Sequence, residues 1–228
     1  MKHTITIKIL PLCGMALITS CAYYPQLVDV PLIREKGDTR VDVGIAIAPP
    51  IVRASVSHGL TKNIALQVAG DIGANDEYYA QSAVGFYKNK QNRNVMELYG
   101  GFGYGYSKAG RMPKKVSGYY QTYFTQFNYG NINRGKNATT EYAFGLKTGY
   151  RDAKPTEIHY YDTGKYSIND FRVNIIFLEP TLFFRTGWEN LKFQMGLGLC
   201  WDFRINRPEY KYPRAGIFNL GLGINYRL

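Results

Sequence analysis

At 228 residues the chain has room for one ordinary domain, and its 24 glycines and 20 tyrosines, without alanine- or leucine-rich heptads, favour strands and argue against a helical bundle. The formal net charge of +11 would suit a nucleic-acid partner. An exported chain rarely meets nucleic acid, so anionic lipid or glycan phosphate is the better counterpart.

Export is read from residues 1–20. Lys2 and Lys8 form a basic start, an apolar run spans Ile9 to Ile18, and Thr19 and Ser20 precede Cys21, the order of a secretory signal peptide. That run is shorter than the roughly 20 residues a membrane-spanning helix needs, and no later run reaches that length. Ile18-Thr19-Ser20-Cys21 resembles a bacterial lipobox, which implies a lipid on Cys21 as the first mature residue; ordinary cleavage nearby, with Cys21 incidental, is the alternative. A disulfide is the weaker reading, because cleavage discards Cys13 and leaves only Cys200 as a partner. Residues 21–38, with Pro25 and Pro31 and no sustained pattern, read as a lipid-anchored extended linker whose lipid sits on the periplasmic side.

From residue 39 the hydrophobic period is two. In "LKFQMGLGLCWDF", Leu191, Phe193, Met195, Leu197, Leu199, Trp201 and Phe203 oppose Lys192, Gln194, Gly196, Gly198, Cys200 and Asp202. Ten such segments are predicted, near 39–47, 51–60, 63–72, 78–88, 94–107, 118–131, 139–150, 174–188, 190–204 and 215–228. Short polar turns ("LTKN", "KNKQNRN", "NRGKNAT", "GWEN") alternate with longer connections, chiefly "SKAGRMPKKVSG" and the stretch from Arg151 to Arg172. This predicts an all-β, antiparallel, up-and-down transmembrane β-barrel over 39–228, with periplasmic turns and extracellular loops. The tight "APP" at 48–50 breaks the rule and leaves eight strands as the alternative to ten.

A soluble barrel points its apolar face inward, whereas a membrane barrel turns it to lipid. Here the polar face is rich in glycine, which suits a crowded interior. Tyr104, Tyr106, Tyr150 and Trp201 fall near one set of strand ends and Tyr142, Trp188 and Tyr226 near the other, as two interfacial girdles require. With the lipobox-like "ITSC", the final strand "NLGLGINYRL" resembles the assembly signal of small outer-membrane β-barrel proteins of Gram-negative bacteria, lipoprotein members in particular. Gly221, Leu222, Ile224 and Tyr226 carry that likeness, and Leu228 replaces the usual terminal phenylalanine.

Strand parity sends Arg40, Arg53, Lys147, Arg185, Lys192, Arg204 and Arg227 into the lumen against Asp42, Asp71, Glu97, Glu141, Glu179 and Asp202. Ten strands leave a nearly full interior, and the near balance of sign predicts a paired polar plug, not a charge-selective lining. Outer loops gather Lys108, Arg111, Lys114 and Lys115, then Arg207, Lys211 and Arg214, a basic patch suited to lipopolysaccharide phosphate or a surface glycan, or merely to solubility. No metal spacing, phosphate loop or dinucleotide fingerprint occurs, so no metal or cofactor is expected. His58 reads as an interfacial side chain. His159 lies near Glu157, Asp162, Ser167 and Asp170, the residue types a rim hydrolase would need and also those of any solvated loop. The predicted function is a non-enzymatic, lipid-anchored outer-membrane barrel that supports envelope integrity or joins a surface complex with an envelope protein partner. A small-solute pore and a hydrolase using the His159 loop are the alternatives.

Overall fold

The computed structural model describes residues 29–47, 50–73, 76–90, 93–111, 113–136, 138–161, 164–206 and 218–228. The signal segment, Cys21, Asp162, Arg207, Lys211 and Arg214 lie outside the described residues.

The strands are β1 (Thr39–Ile47), β2 (Pro50–Gly59), β3 (Ile64–Gly73), β4 (Tyr78–Lys90), β5 (Asn94–Arg111), β6 (Lys114–Arg134), β7 (Thr139–Tyr160), β8 (Tyr166–Asp170), β9 (Val173–Gly187), β10 (Leu191–Leu199), β11 (Trp201–Arg204) and β12 (Phe218–Arg227). Each neighbour pair is antiparallel, β7 pairs with β9, and β1 pairs with β12 from Arg40↔Arg227 to Ala46↔Gly221. The sheet therefore closes into a ten-stranded barrel, which removes the edges an open sheet would leave to aggregate and decides between the eight and ten strands expected.

The two supernumerary strands have separate origins. Cys200 interrupts the predicted 190–204 segment, yet β11 continues the pairing of β10 on β9 without a register shift, from Gly198↔Thr181 to Trp201↔Leu178. β8 corrects the expectation of a long irregular loop after Arg151: β7 continues to Tyr160 and β8 returns along it, His159 opposite Ser167. "SKAGRMPKKVSG" is likewise a hairpin, with β5 and β6 paired from Ser107↔Gly118 to Arg111↔Lys114. Lys108, Arg111, Lys114 and Lys115 thus stand on strands, not in a loop. These segments hid because apolar alternation stops above the barrel while the hydrogen-bond ladder continues, and because Pro155 reads as a breaker. Pro155 is accommodated opposite Gly118, where a Cβ would lie 2.6 Å from its Cα.

The rim is consequently uneven. β1, β2 and β3 span 9 or 10 residues, about the length that crosses a bilayer as a tilted strand. β6 and β7 reach 21 and 22, raising one wall well above the rest.

Candidate functional site

Outside the barrel, Val43, Ile45, Val56, Val68, Val84, Leu98, Leu182, Phe193, Leu222 and Ile224 are exposed, while Ser55, Gln67, Gln126, Asn128 and Asn225 are buried inside. This is the reverse of a water-soluble barrel, and it follows directly from the period-two pattern. Aromatic side chains band both ends of the belt. Tyr78 stacks on Tyr106 and Tyr104 on Tyr119 toward the tall wall, with ring centroids 6.0 and 5.8 Å apart. Tyr142 meets Phe184 at 5.4 Å near the short turns, where Trp188 is exposed. His58 bonds Thr39 Oγ1 at 2.7 Å through Nδ1 at the same end.

The interior holds the segment expected to be an extended linker. Asp29, Val30, Pro31, Leu32, Ile33 and Arg34 are buried within the lumen. The chain descends from Asp29 to the short-turn rim and reverses there: Arg34 N–H donates to Asp38 Oδ2 at 2.7 Å, Gly37 takes a φ of 86° that suits glycine, and Gly37 and Asp38 bond Gly59 at 2.7 and 2.9 Å. β1 then starts upward at Thr39. Leu32, although not glycine, also has a left-handed φ of 55°. Such a residue costs about 1–2 kcal/mol, offset by complete burial of the leucine side chain, roughly 1.5–3 kcal/mol. Its seat is Gly130, where a Cβ would come within 2.4 Å of Leu32 Cδ2.

Specific wall groups hold this segment. Ile33 N–H donates to Glu97 Oε1 at 2.7 Å, and Asn128 Nδ2 donates to Glu97 Oε2 at 2.8 Å. The Asp29 carbonyl accepts from Gln126 Nε2 at 2.6 Å and from Gln67 Nε2 at 3.3 Å. Val30 and Leu32 pack with Val95, Ile132, Ala143 and Phe183, and Ile33 with Ala65, Tyr87 and Tyr99.

Of the charges that strand parity assigns to the lumen, Arg40, Asp42, Asp71, Glu97, Glu141, Lys147, Glu179, Arg185, Lys192 and Arg227 are buried, and Arg53, Asp202 and Arg204 are half-buried; their partners differ from a simple pairing among themselves. Glu141 is a hub: Arg40 donates to both of its oxygens at 2.9 and 3.1 Å, and Arg34, Arg185 and Lys192 lie at 3.3, 3.5 and 3.6 Å. Arg185 also approaches Asp42 at 3.7 Å, Asp42 accepts from Asn225 at 2.9 Å, and Arg227 meets Asp38 at 2.7 Å. Arg53 and Asp71 pair at 3.4 Å. Lys147 donates to Gln81 at 2.7 Å and stands 4.2 Å from the Phe124 ring centre. Higher up, Arg151 bridges Glu179 and Asp202, each at 3.4 Å, with the Cys200 thiol directed at Glu179 and Asp202. Arg204 ends β11, half-exposed.

Glu97 corrects the expectation of cross-lumen ion pairing, since among the described residues it makes no ion pair and holds backbone and amide instead. Arg34, Asp38, Asp29 and Arg151 were not among the predicted lumenal charges. Arg151 continues the inward parity of Lys147 and Gly149 and becomes legible once β7 is extended; no periodicity marks the other three. A cavity of about 40 Å³ remains beside Asp29, Asp42, Arg53 and Asp71, room for two or three waters.

The features beyond the tall wall are less organised. Lys114 pairs with Glu157 at 2.8 Å and Lys115 lies 5.6 Å from the Tyr160 ring centre, so part of the basic patch is occupied by this chain's own groups. His159 and Ser167 are cross-strand neighbours, but among the described residues His159 Nδ1 has no hydrogen-bond partner and the Ser167 hydroxyl is bonded with Tyr161 at 3.3 Å. Among the described residues, no group of three or more His, Cys, Asp or Glu side chains could hold a metal.

No protein-family model matches the chain, and no curated protein matches it. Among solved structures it is similar to a bacterial polysaccharide outer membrane secretin, at 10% identity over 86% of this chain and 99% of that one, with a TM-score of 0.25. It is also similar to in-vitro-folded OmpT, an outer membrane protein of Vibrio cholerae, at 7% identity over 84% of this chain and 96% of that one, with a TM-score of 0.18. The barrel assignment rests on strand closure and not on these likenesses.

Proposed function

We propose that this chain is a non-enzymatic outer-membrane β-barrel, lipidated at Cys21, whose lumen is closed by its own N-terminal segment. It supports envelope integrity or serves as a subunit of a surface complex. The observation that carries this reading is the burial of residues 29–34 in the lumen, fixed by Glu97 on Ile33 and by Glu141 on Arg34. Each buried charge would cost several kcal/mol if unpaired, so the network around Glu141 favours one closed arrangement over an open, hydrated one. Among the described residues, the cavity beside Asp29 has room for only a few waters.

Work of this kind is done by surfaces. The outer basic residues, Lys108, Arg111, Lys114, Lys115, Arg207, Lys211 and Arg214, suit phosphate groups of lipopolysaccharide or a surface glycan, and the tall wall offers an envelope protein partner a rigid sheet. The hydrolase reading is the poorer one, because a general base needs an orienting partner and, among the described residues, His159 Nδ1 has none.

Planar-bilayer recording of the purified full-length protein tests the closed lumen. The expected record is free of steady conductance; reproducible ion conduction by the unmodified protein would promote the pore reading in its place.

A further inference from the structure

Strand parity continues above the belt and sorts the basic residues of the tall wall by face. Lys114 takes the inward parity and pairs with Glu157 at 2.8 Å, so it leaves the predicted patch. Lys108 and Lys115 share the outward parity of Tyr104, Tyr106 and Tyr119, and Lys154, directly opposite Tyr119, joins them. All three lysines are exposed, and among the described residues none forms an ion pair. The nearby carboxylates are engaged elsewhere: Glu157 by Lys114, Asp152 by Arg172 at 2.6 Å, and Glu77, which is buried, by the Lys108 N–H at 3.1 Å. Asp170, which accepts from the Thr156 hydroxyl at 2.6 Å, is the carboxylate left on this outward face. Three lysines against it leave the face positive.

The three are also close together and at a defined height. Lys108 stands opposite Ser117, Lys115 lies two residues along β6 from it, and Lys154 lies diagonally across on β7. Sheet spacings put their Cα atoms about 5, 7 and 8 Å from that of Ser117, so the flexible lysine stems can converge above it. The Ser117 hydroxyl, half-buried and without a partner among the described residues, supplies a further donor at the centre. Just below lies the aromatic girdle, with Tyr106 5.0 Å from Tyr119 and Phe102 5.3 Å from Tyr123 between ring centroids. Interfacial aromatic rings sit at headgroup level. Lys108 follows Tyr106 by two residues, so the cations stand among the headgroups and not far out in water.

From this we infer that Lys108, Lys115 and Lys154, around Ser117, bind the phosphate groups of a phosphorylated glycolipid of the outer leaflet. The inference rests on the proposed outer-membrane barrel with its short turns in the periplasm. It narrows that reading's phosphate partner from seven basic residues to a site of three, of which Lys154 was not predicted. Charge complementarity selects an anion. The exposed face of Phe102, Tyr104, Tyr119 and Tyr123 beneath the cations selects a lipid, because it offers acyl chains a surface that a free phosphate or a soluble glycan leaves unused. The attraction of several basic residues to an anionic membrane surface accumulates. Lipid held there ties the tall wall to its own leaflet, a use in keeping with envelope integrity.

The test reconstitutes the full-length barrel in phosphatidylcholine vesicles containing bis-phosphorylated lipid A, and measures by native mass spectrometry the lipid A kept by each barrel after mild detergent extraction. The parent is compared with Lys108→Gln/Lys115→Gln/Lys154→Gln and with Lys62→Gln/Lys88→Gln/Lys90→Gln, an equal change of charge at the short-turn rim. The heat-dependent gel shift of each protein reports that it is folded. The first triple variant is expected to keep about tenfold less lipid A than the parent or worse, and the second as much as the parent. Dephosphorylated lipid A, with the same acyl chains, is expected to be lost from all three. Equal retention by the parent and the first variant, or equal retention of the dephosphorylated lipid, overturns the site while leaving the barrel reading intact. Displacement of lipid A by millimolar inorganic phosphate marks a site for free phosphate and overturns the lipid assignment. A parent chain that neither inserts nor shifts on heating overturns the barrel reading, and the inference with it.

Discussion

Replacing Glu141 with alanine strands the largest group of buried cations among the described residues. The side chains of Glu141, Arg40, Arg185 and Lys192 have no solvent exposure, and that of Arg34 has almost none. The losses are unequal. Arg185 keeps Gln194 at 3.0 Å and Asp42 at 3.7 Å, Lys192 keeps the Glu189 carbonyl, and Arg34 keeps Glu189 at 3.4 Å. Arg40 loses two bonds to the carboxylate and retains Asn225 Oδ1 at 3.3 Å. One lost charge-assisted bond gives a floor of about 1.5–3 kcal/mol, and leaving a buried cation unpaired raises the expectation to about 3–5 kcal/mol. Glu141→Gln, which keeps an acceptor without the charge, should fall between the parent and Glu141→Ala. Adding Arg40→Met to Glu141→Ala should recover part of the loss, because it removes the cation left most exposed to the deletion. Urea unfolding in phospholipid vesicles, followed by the heat-dependent gel shift and by fluorescence of Trp188 and Trp201, measures the series. A Glu141→Ala protein within about 0.5 kcal/mol of the parent, the range of an ordinary surface change, would refute the hub.

Three further outcomes follow from the same structure. Leu222→Arg, on the exposed face midway along β12 opposite Ile45 and Met195, should cost roughly 2–4 kcal/mol in membranes; a neutral effect in a membrane-inserted protein would reverse the inside-outside assignment. Glu97→Ala should produce intermittent conductance in planar bilayers while Glu97→Gln, still able to accept from Ile33 N–H, should stay closed; equal behaviour would show that Glu97 does not retain the segment. Above the barrel, the Arg172 guanidinium, bonded to Asp152 at 2.7 and 2.6 Å, holds that carboxyl below its usual range. Its contribution is therefore complete above the ordinary carboxylate pKa and lost as pH falls through the lower folded value. Protection factors of the β7–β9 pairing around Asp152, corrected for the intrinsic pH dependence of amide exchange, should accordingly fall in acid in the parent but not in Asp152→Asn.

Sequence periodicity was enough for the ring because each residue of β1–β3, β10 and β12 meets either lipid or lumen, and nothing else competes with that choice. The same alternation placed Arg40, Glu141, Arg185 and Lys192 inside without naming their partners, since parity fixes a face but not a height or a neighbour across the barrel. It failed where that two-phase environment ends. Ser107–Gly118 and Arg151–Asp170 form paired strands with water outside, so neither face needs to be uniformly apolar. The lumenal segment was illegible for another reason: Val30, Leu32 and Ile33 follow no strand period, and their burial depends on gaps left by Gly130 and on Glu97, residues distant in sequence.

Cross-linking of Leu32 to Gly130 in the membrane-embedded protein tests the lumenal seat most directly. A Cβ at Gly130 would lie 3.1 Å from Leu32 Cγ, so a sulfur in place of that Cγ is close enough to bridge to a second cysteine, while removal of the leucine methyls relieves the overlap. Leu32→Cys/Gly130→Cys, in Cys200→Ala, is predicted to form an intramolecular disulfide in intact outer membranes, seen as faster migration of the unfolded chain without reductant and as a linked peptide by mass spectrometry. Two free thiols in a correctly inserted barrel, under oxidation that closes a disulfide in a control pair between paired strands, would contradict the account.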